Sequence, residues 1–211
     1  MLDDSRPMET AGQPPRIEAN LRALHADWNE ARRGQEVPKR ADIDPRRIEP
    51  LLSNAFISER IAPGVTRLRV AGMHLSDIMG MEVRGMPLSC LISPPARDAF
   101  ALHLVDLFDG PAALRMELRS PGALGRPEMR ATLVMLPLRS DLGDVSRALG
   151  CLVTRGVSGR APRRFEIMSC RATPVAGNDD AGGFQVLPGG LSGADRGRSS
   201  KRGREYLQLV T

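Results

Sequence analysis

A chain of 211 residues with 41% hydrophobic and 26% charged residues has the balance of one globular domain with extensions. Aromatics are only 3%, so the core must come from Leu, Val, Ala and the ten methionines, which fill irregular space well. The formal charge of +5 lies mainly in the tail: from Arg160 onward, nine Lys/Arg stand against five Asp/Glu. The high pI is therefore no argument that the folded body binds nucleic acid.

Cys90, Cys151 and Cys170 are odd in number and lack CxxC spacing, which speaks against a disulfide framework or a zinc site. Residues 1–15 are polar and rich in Pro and Gly, with no apolar h-region. They read as disordered and not as a secretory signal. No apolar run approaches the roughly 18 residues that span a bilayer. The expected location is the cytoplasm.

A helix is expected next, because Ile17, Leu21, Leu24, Trp28 and Ala31 recur at spacings of four and three. Gly34 is its stop. The stripe is narrow, like a coiled-coil seam, and suits packing on its own domain or on a second copy. Asp44 before Pro45 marks the start of a short helix with Ile48, Leu51 and Leu52 on its apolar side.

Residues 54–60 and 66–71 read as strands joined at Ala62-Pro63-Gly64. Leu68 and Val70 alternate with Arg67 and Arg69, which predicts one buried and one wet face. Glycines at 72, 80 and 85 break the next stretch into short turns. A longer helix is expected over Pro94–Asp109, with Phe100, Leu104, Leu107 and Phe108 as its core stripe.

Three strands follow, over 112–119, 128–138 and 145–155, the last two forming a hairpin across Ser140–Asp144; on the first, Ala112, Leu114, Met116 and Leu118 alternate with Ala113, Arg115, Glu117 and Arg119, which puts Arg115 and Arg119 on a solvated face. Met129, Ala131, Leu133 and Met135 share one face of their strand, and Leu149, Cys151 and Val153 share one face of theirs. Residues 164–175 can add an edge strand. Residues 176–204 read as a flexible Gly/Ser/Arg linker, and Glu205–Thr211 turns apolar again, as a docking segment would. The folded unit is thus expected over 16–175 and the tail over 176–211. Helices inserted between two groups of strands define an α+β architecture on an antiparallel sheet.

Particular residues add to that order. Arg40–Pro45 (RADIDP), Leu51–Ile57 (LLSNAFI), Arg67–Gly72 (RLRVAG), Leu75–Gly80 (LSDIMG), Leu136–Arg139 (LPLR) and Asp144–Gly150 (DVSRALG) together resemble a PAS_5-like family of stand-alone PAS domains in alphaproteobacteria. The terminal EYLQLV resembles a short motif of the same family. The resemblance covers about residues 17–175. It implies a five-stranded antiparallel sheet with helices on one face, cupping a small cavity. It also implies a regulatory role in signal transduction, acting through protein–protein interaction.

No nucleophile elbow, Walker loop, HExxH or dinucleotide fingerprint is present. His25, His74 and His103 lie on three separated elements, so nothing forces acid and base groups to converge. The chain reads as non-catalytic. The candidate ligand cavity is bordered by Met79, Cys90, His103, Met116 and Met135. A Met-rich lining suits varied apolar ligands, though ordinary core is the blander reading. His103 is placed where haem-binding PAS domains carry their iron ligand, which makes haem a possible cofactor. Cys90 lacks the context of flavin-binding light sensors. Ile17, Leu21, Leu24 and Trp28 form the candidate interaction helix, for a protein partner or a homodimer. The alternatives are a small-molecule sensor, haem included, and weak nucleic-acid association through the basic run Arg196–Arg204.

Overall fold

A computed structural model describes residues 15–34, 37–157 and 159–175. The expectations for 1–14 and for the tail from 176 onward lie outside the described residues. Helix α1 (Pro15–Ala31) is followed by 3-10 turns over Arg40–Asp42 and Pro45–Leu51, then strands β1 (Ala55–Ala62) and β2 (Val65–Ala71). Helix α2 (Met73–Met79), 3-10 turns over Leu88–Leu91 and Pro94–Ala96, and helix α3 (Arg97–Asp109) come next. Strands β3 (Ala112–Ser120), β4 (Met129–Arg139), β5 (Val145–Arg155) and β6 (Glu166–Pro174) close the order.

The local signals work as their chemistry requires. The Asp44 carboxylate accepts from the Arg46 amide at 2.9 Å, so the turn starts on its cap. Arg33 and Gly34 carry α1 out through left-handed conformations, with φ of 48° and 80°. Gly64 turns β1 into β2 at φ 70°, and a Cβ there would stand 2.9 Å from the Ala101 methyl of α3. The hairpin tip at Ser140–Asp144 is closed by the Ser140 amide on the Asp144 carbonyl at 2.8 Å.

All neighbouring strands are antiparallel, in the order β2-β1-β5-β4-β3-β6. Among the described residues the sheet therefore has six strands, not five. The extra one is the edge strand expected near residues 164–175, now paired along β3 from Ala112↔Pro174 to Arg119↔Glu166.

The inner face carries α2, α3 and the turns between them. Phe56, Leu68, Phe100, Leu104, Leu107, Met116, Leu133, Met135 and Leu152 meet there in one buried cluster. Phe56 lies across its cross-strand partner Gly150, and a Cβ on Gly150 would stand 2.0 Å from the ring. That glycine leaves the space the aromatic fills.

The outer face corrects an expectation. It is not wet along its length. Helix α1 and the Pro45–Leu51 turn lie on it, and Leu21, Leu24, Trp28, Ile48 and Leu51 pack against Ala113, Val134, Leu136, Leu138, Leu149, Cys151 and Val153. The middle strands are thus buried on both sides, so their apolar residues run continuously (Leu133–Leu138) instead of alternating. Each buried Leu on α1 contributes about 1.5–3 kcal/mol by leaving water. The seam on α1 is spent on the chain's own sheet: Leu21, Leu24 and Trp28 are each 2% exposed. Ile17 packs at the edge of the same cluster.

Candidate functional site

Four of the five candidate cavity residues do come together. Met79, Cys90, Met116 and Met135 are all buried in the inner cluster. They sit among Phe100, Leu104 and Phe108 as packed core. His103 stands apart: it is half-buried on α3 and outside that cluster. Burial lowers its pKa, and Asp106 one turn on partly opposes this. With the helix stripe beside it filled by buried Phe100, Leu104 and Leu107, these residues do not offer a haem pocket. Burial pushes the Cys90 thiol up and the Cys151 thiol up to about 12, so both are inert at neutral pH.

The other histidines are also held by structure. The His74 ring Nε2 is 2.9 Å from the Thr154 hydroxyl, tying the start of α2 to β5. His25 stacks at 45° and 5.9 Å on Trp28, and its Nδ1 is 3.3 Å from the Asn29 amide. Burial lowers both pKa values. The three rings are on α1, α2 and α3, and α1 is on the opposite side of the sheet from the other two.

Two concave features flank α1 on the outer face. Between α1 and β3, β4 and β6 lies a groove of about 470 Å³. Its floor is Leu21, Ala113, Val134 and Leu136, and its rim carries Glu18, Arg22, His25, Arg115 and Arg171. Alternation on β3 turns Arg115 outward while Leu114 and Met116 face the core. The Arg115 guanidinium grips Glu18 with two parallel bonds of 2.9 and 3.0 Å, a fork-on-fork pairing. The Arg115 hydrogen bond holds the Glu18 carboxyl below its ordinary value. Burial draws the Arg115 pKa down, and Glu18 together with Glu117 more than restores it. The Arg22 Nε bonds the Glu18 carbonyl at 3.4 Å. The groove thus joins an apolar floor to a cationic rim, with Arg22, Arg115 and Arg171 against Glu18 and with Glu117 3.3 Å from Arg115.

Sequence reasoning placed Arg115 and Arg119 on a solvated face and passed over Glu18, Arg22, Arg171 and Thr173. One signal was available: the unbroken apolar stretch of β4 means that something covers its outer side, and α1 was the amphipathic element left to do so. Arg67 and Arg69 meet Glu59, and Arg119 meets Glu166 at 2.9 Å. These are partly exposed surface pairs of small energetic weight.

An antiparallel sheet whose inner face carries helices inserted between two strand groups defines the class: a PAS-type α+β domain. The PAS_5 family, described as a PAS domain, matches residues 17–153, and the chain belongs to it. Among solved structures, the light-state structure of the blue-light photoreceptor Aureochrome1 LOV is similar at a TM-score of 0.36 and 13% identity. That match covers 53% of this chain and 88% of the other. No curated protein matches the chain. Among the described residues, no helix is long and apolar enough to cross a membrane.

Proposed function

We infer that this PAS-domain protein is a non-catalytic regulatory module in signal transduction that binds a protein partner through the groove beside α1. The observation that carries the reading is the groove's make-up: a floor of Leu21, Ala113, Val134 and Leu136 under a rim of Arg22, Arg115 and Arg171. Such a surface fits an acidic peptide with interspersed apolar side chains. The apolar residues supply affinity, and the charges supply register and encounter rate. The inner face supports a packed scaffold better than a ligand chamber, since Met79, Met116 and Met135 belong to its buried cluster. The reading assumes action in the cytoplasm.

The test is selection of 12-residue peptides from a displayed random library on the full chain. Enriched sequences should combine Asp or Glu with Leu, Ile or Phe. Arg22→Glu combined with Arg171→Glu, both at exposed positions, should abolish their binding and leave thermal stability within about 0.5 kcal/mol of wild type. Enrichment of basic peptides, or binding that survives the double charge reversal, would refute the groove as the binding surface.

A further inference from the structure

On the opposite flank of α1 the outer face carries two depressions that share Ile43, Ile48 and Leu149 and so adjoin one another. One, of about 210 Å³, is bordered by Asp27, Glu30, Asp42 and Asp44 with Arg33 and Arg47, a net negative lining in which Arg47 reaches Glu30 at 2.7 Å and Asp27 at 3.5 Å, while Asp42 and Asp44 accept from the Lys39 and Arg46 amides. The other, of about 200 Å³, is almost wholly apolar, with Leu52, Ile57 and Val70 among its walls. Leu52 and Val70 are 44% and 56% exposed on its walls. An acidic patch leading into an apolar one calls for a ligand with basic and apolar parts in that succession.

The chain itself contains such a segment. Arg196, Arg198, Lys201, Arg202 and Arg204 precede Tyr206, Leu207, Leu209 and Val210. We propose that residues 196–211 dock on this channel of the same molecule. The basic run meets Asp27, Glu30, Asp42 and Asp44, and the apolar residues cover Leu52 and Val70.

Geometry permits it. The described chain leaves the sheet at Val175, whose amide is held by the Pro111 carbonyl at 2.8 Å, beside β6. From β6 to β1 is a walk across four strand spacings, about 19 Å at about 4.8 Å each. Residues 176–195 are rich in Gly, with six glycines and three alanines. Twenty residues of such composition have a root-mean-square span of about 25 Å. A span close to the distance required gives an effective concentration in the millimolar range, so weak contacts suffice to keep the segment bound. The channel lies across α1 from the cationic groove and shares no arginine with it, so this docking stands independently of the partner proposed above.

Photo-crosslinking on the full chain tests it, with p-benzoylphenylalanine in place of Tyr206. The expected products are crosslinks within one chain, to peptides carrying Ile43–Leu52 or Val65–Ala71. Their yield should not change on tenfold dilution. It should fall at least tenfold in Val70→Lys, and equally in Leu207→Asp combined with Leu209→Asp, which leaves every described residue unchanged. Crosslinks between chains, crosslinks to the Arg22 groove, or a yield indifferent to both variants would overturn the proposal.

Discussion

The indole Nε1–H of Trp28 donates to the main-chain carbonyl of Pro137 at 2.9 Å, joining α1 to β4 across 109 residues. Proline interrupts the strand's own supply of donors, and here its carbonyl is taken by a side chain from the covering helix. The bond fixes α1 at one place on the sheet, while the Arg115–Glu18 pair fixes its other end. Those two ties give the groove its walls.

Trp28→Phe should therefore keep most of the packing but strand the buried Pro137 carbonyl, at a cost of about 1–3 kcal/mol. Trp28→Ala should cost more, about 3–5 kcal/mol, through the cavity it leaves. Urea unfolding of the two variants measures both. A Trp28→Phe variant as stable as wild type would mean that the hydrogen bond contributes nothing beyond the ring.

Gly150→Ala places a methyl where the Phe56 ring now lies, 2.0 Å away. The ring cannot stay, so a loss of about 1–3 kcal/mol is expected from overpacking. Phe56→Leu in the same chain should recover part of it, giving a favourable coupling in the double-mutant cycle. Strict additivity would show that Phe56 does not rest on Gly150.

Burial lowers the pKa values of His25, His74 and His103 below the ordinary 6.5. The unfolded chain then takes up protons at pH values where the folded chain still resists them. The stability from these neutral rings is complete above about pH 6.5 and declines as pH falls through that value toward the lowered ones. Melting temperature should drop on acidification from about pH 7 to about pH 5.5. His74→Asn should flatten the slope. A melting temperature that rises on acidification would contradict the burial of these rings.

Reduction and oxidation should matter little. Cys90 and Cys151 are buried, and Cys170 is pushed up to about 11. A maleimide reagent at neutral pH should label the native chain slowly at Cys170 and leave Cys90 and Cys151 intact until denaturant is added. Rapid labelling of all three in the native state would show an open core.

The order of elements was legible because turn chemistry and periodicity are local. The spacing from Phe100 to Phe108 placed α3, Asp44-Pro45 placed the turn it caps, and the alternation from Ala112 to Arg119 told the inner side of β3 from its outer side. The destination of α1 was not legible. An apolar stripe at Leu21, Leu24 and Trp28 is equally satisfied by a sheet or by a second helix, and periodicity does not distinguish them. The groove was hidden for the same reason. Glu18 and Arg115 are 97 positions apart and meet only once α1 has settled on β3. The methionines left the cavity reading open, since residues flexible enough to line a chamber are equally able to fill a core, and Met79, Met116 and Met135 are buried in one.

Amide chemical-shift mapping of the full chain with a library-selected acidic peptide is the most direct test of how this PAS-domain protein makes contact. The perturbed amides should belong to α1, β3 and β6 and centre on Glu18, Arg22, Arg115 and Arg171, with the inner cluster silent. Shifts concentrated at Met79, Cys90, His103 and Met135 would contradict the account and return binding to the face between the helices and the sheet.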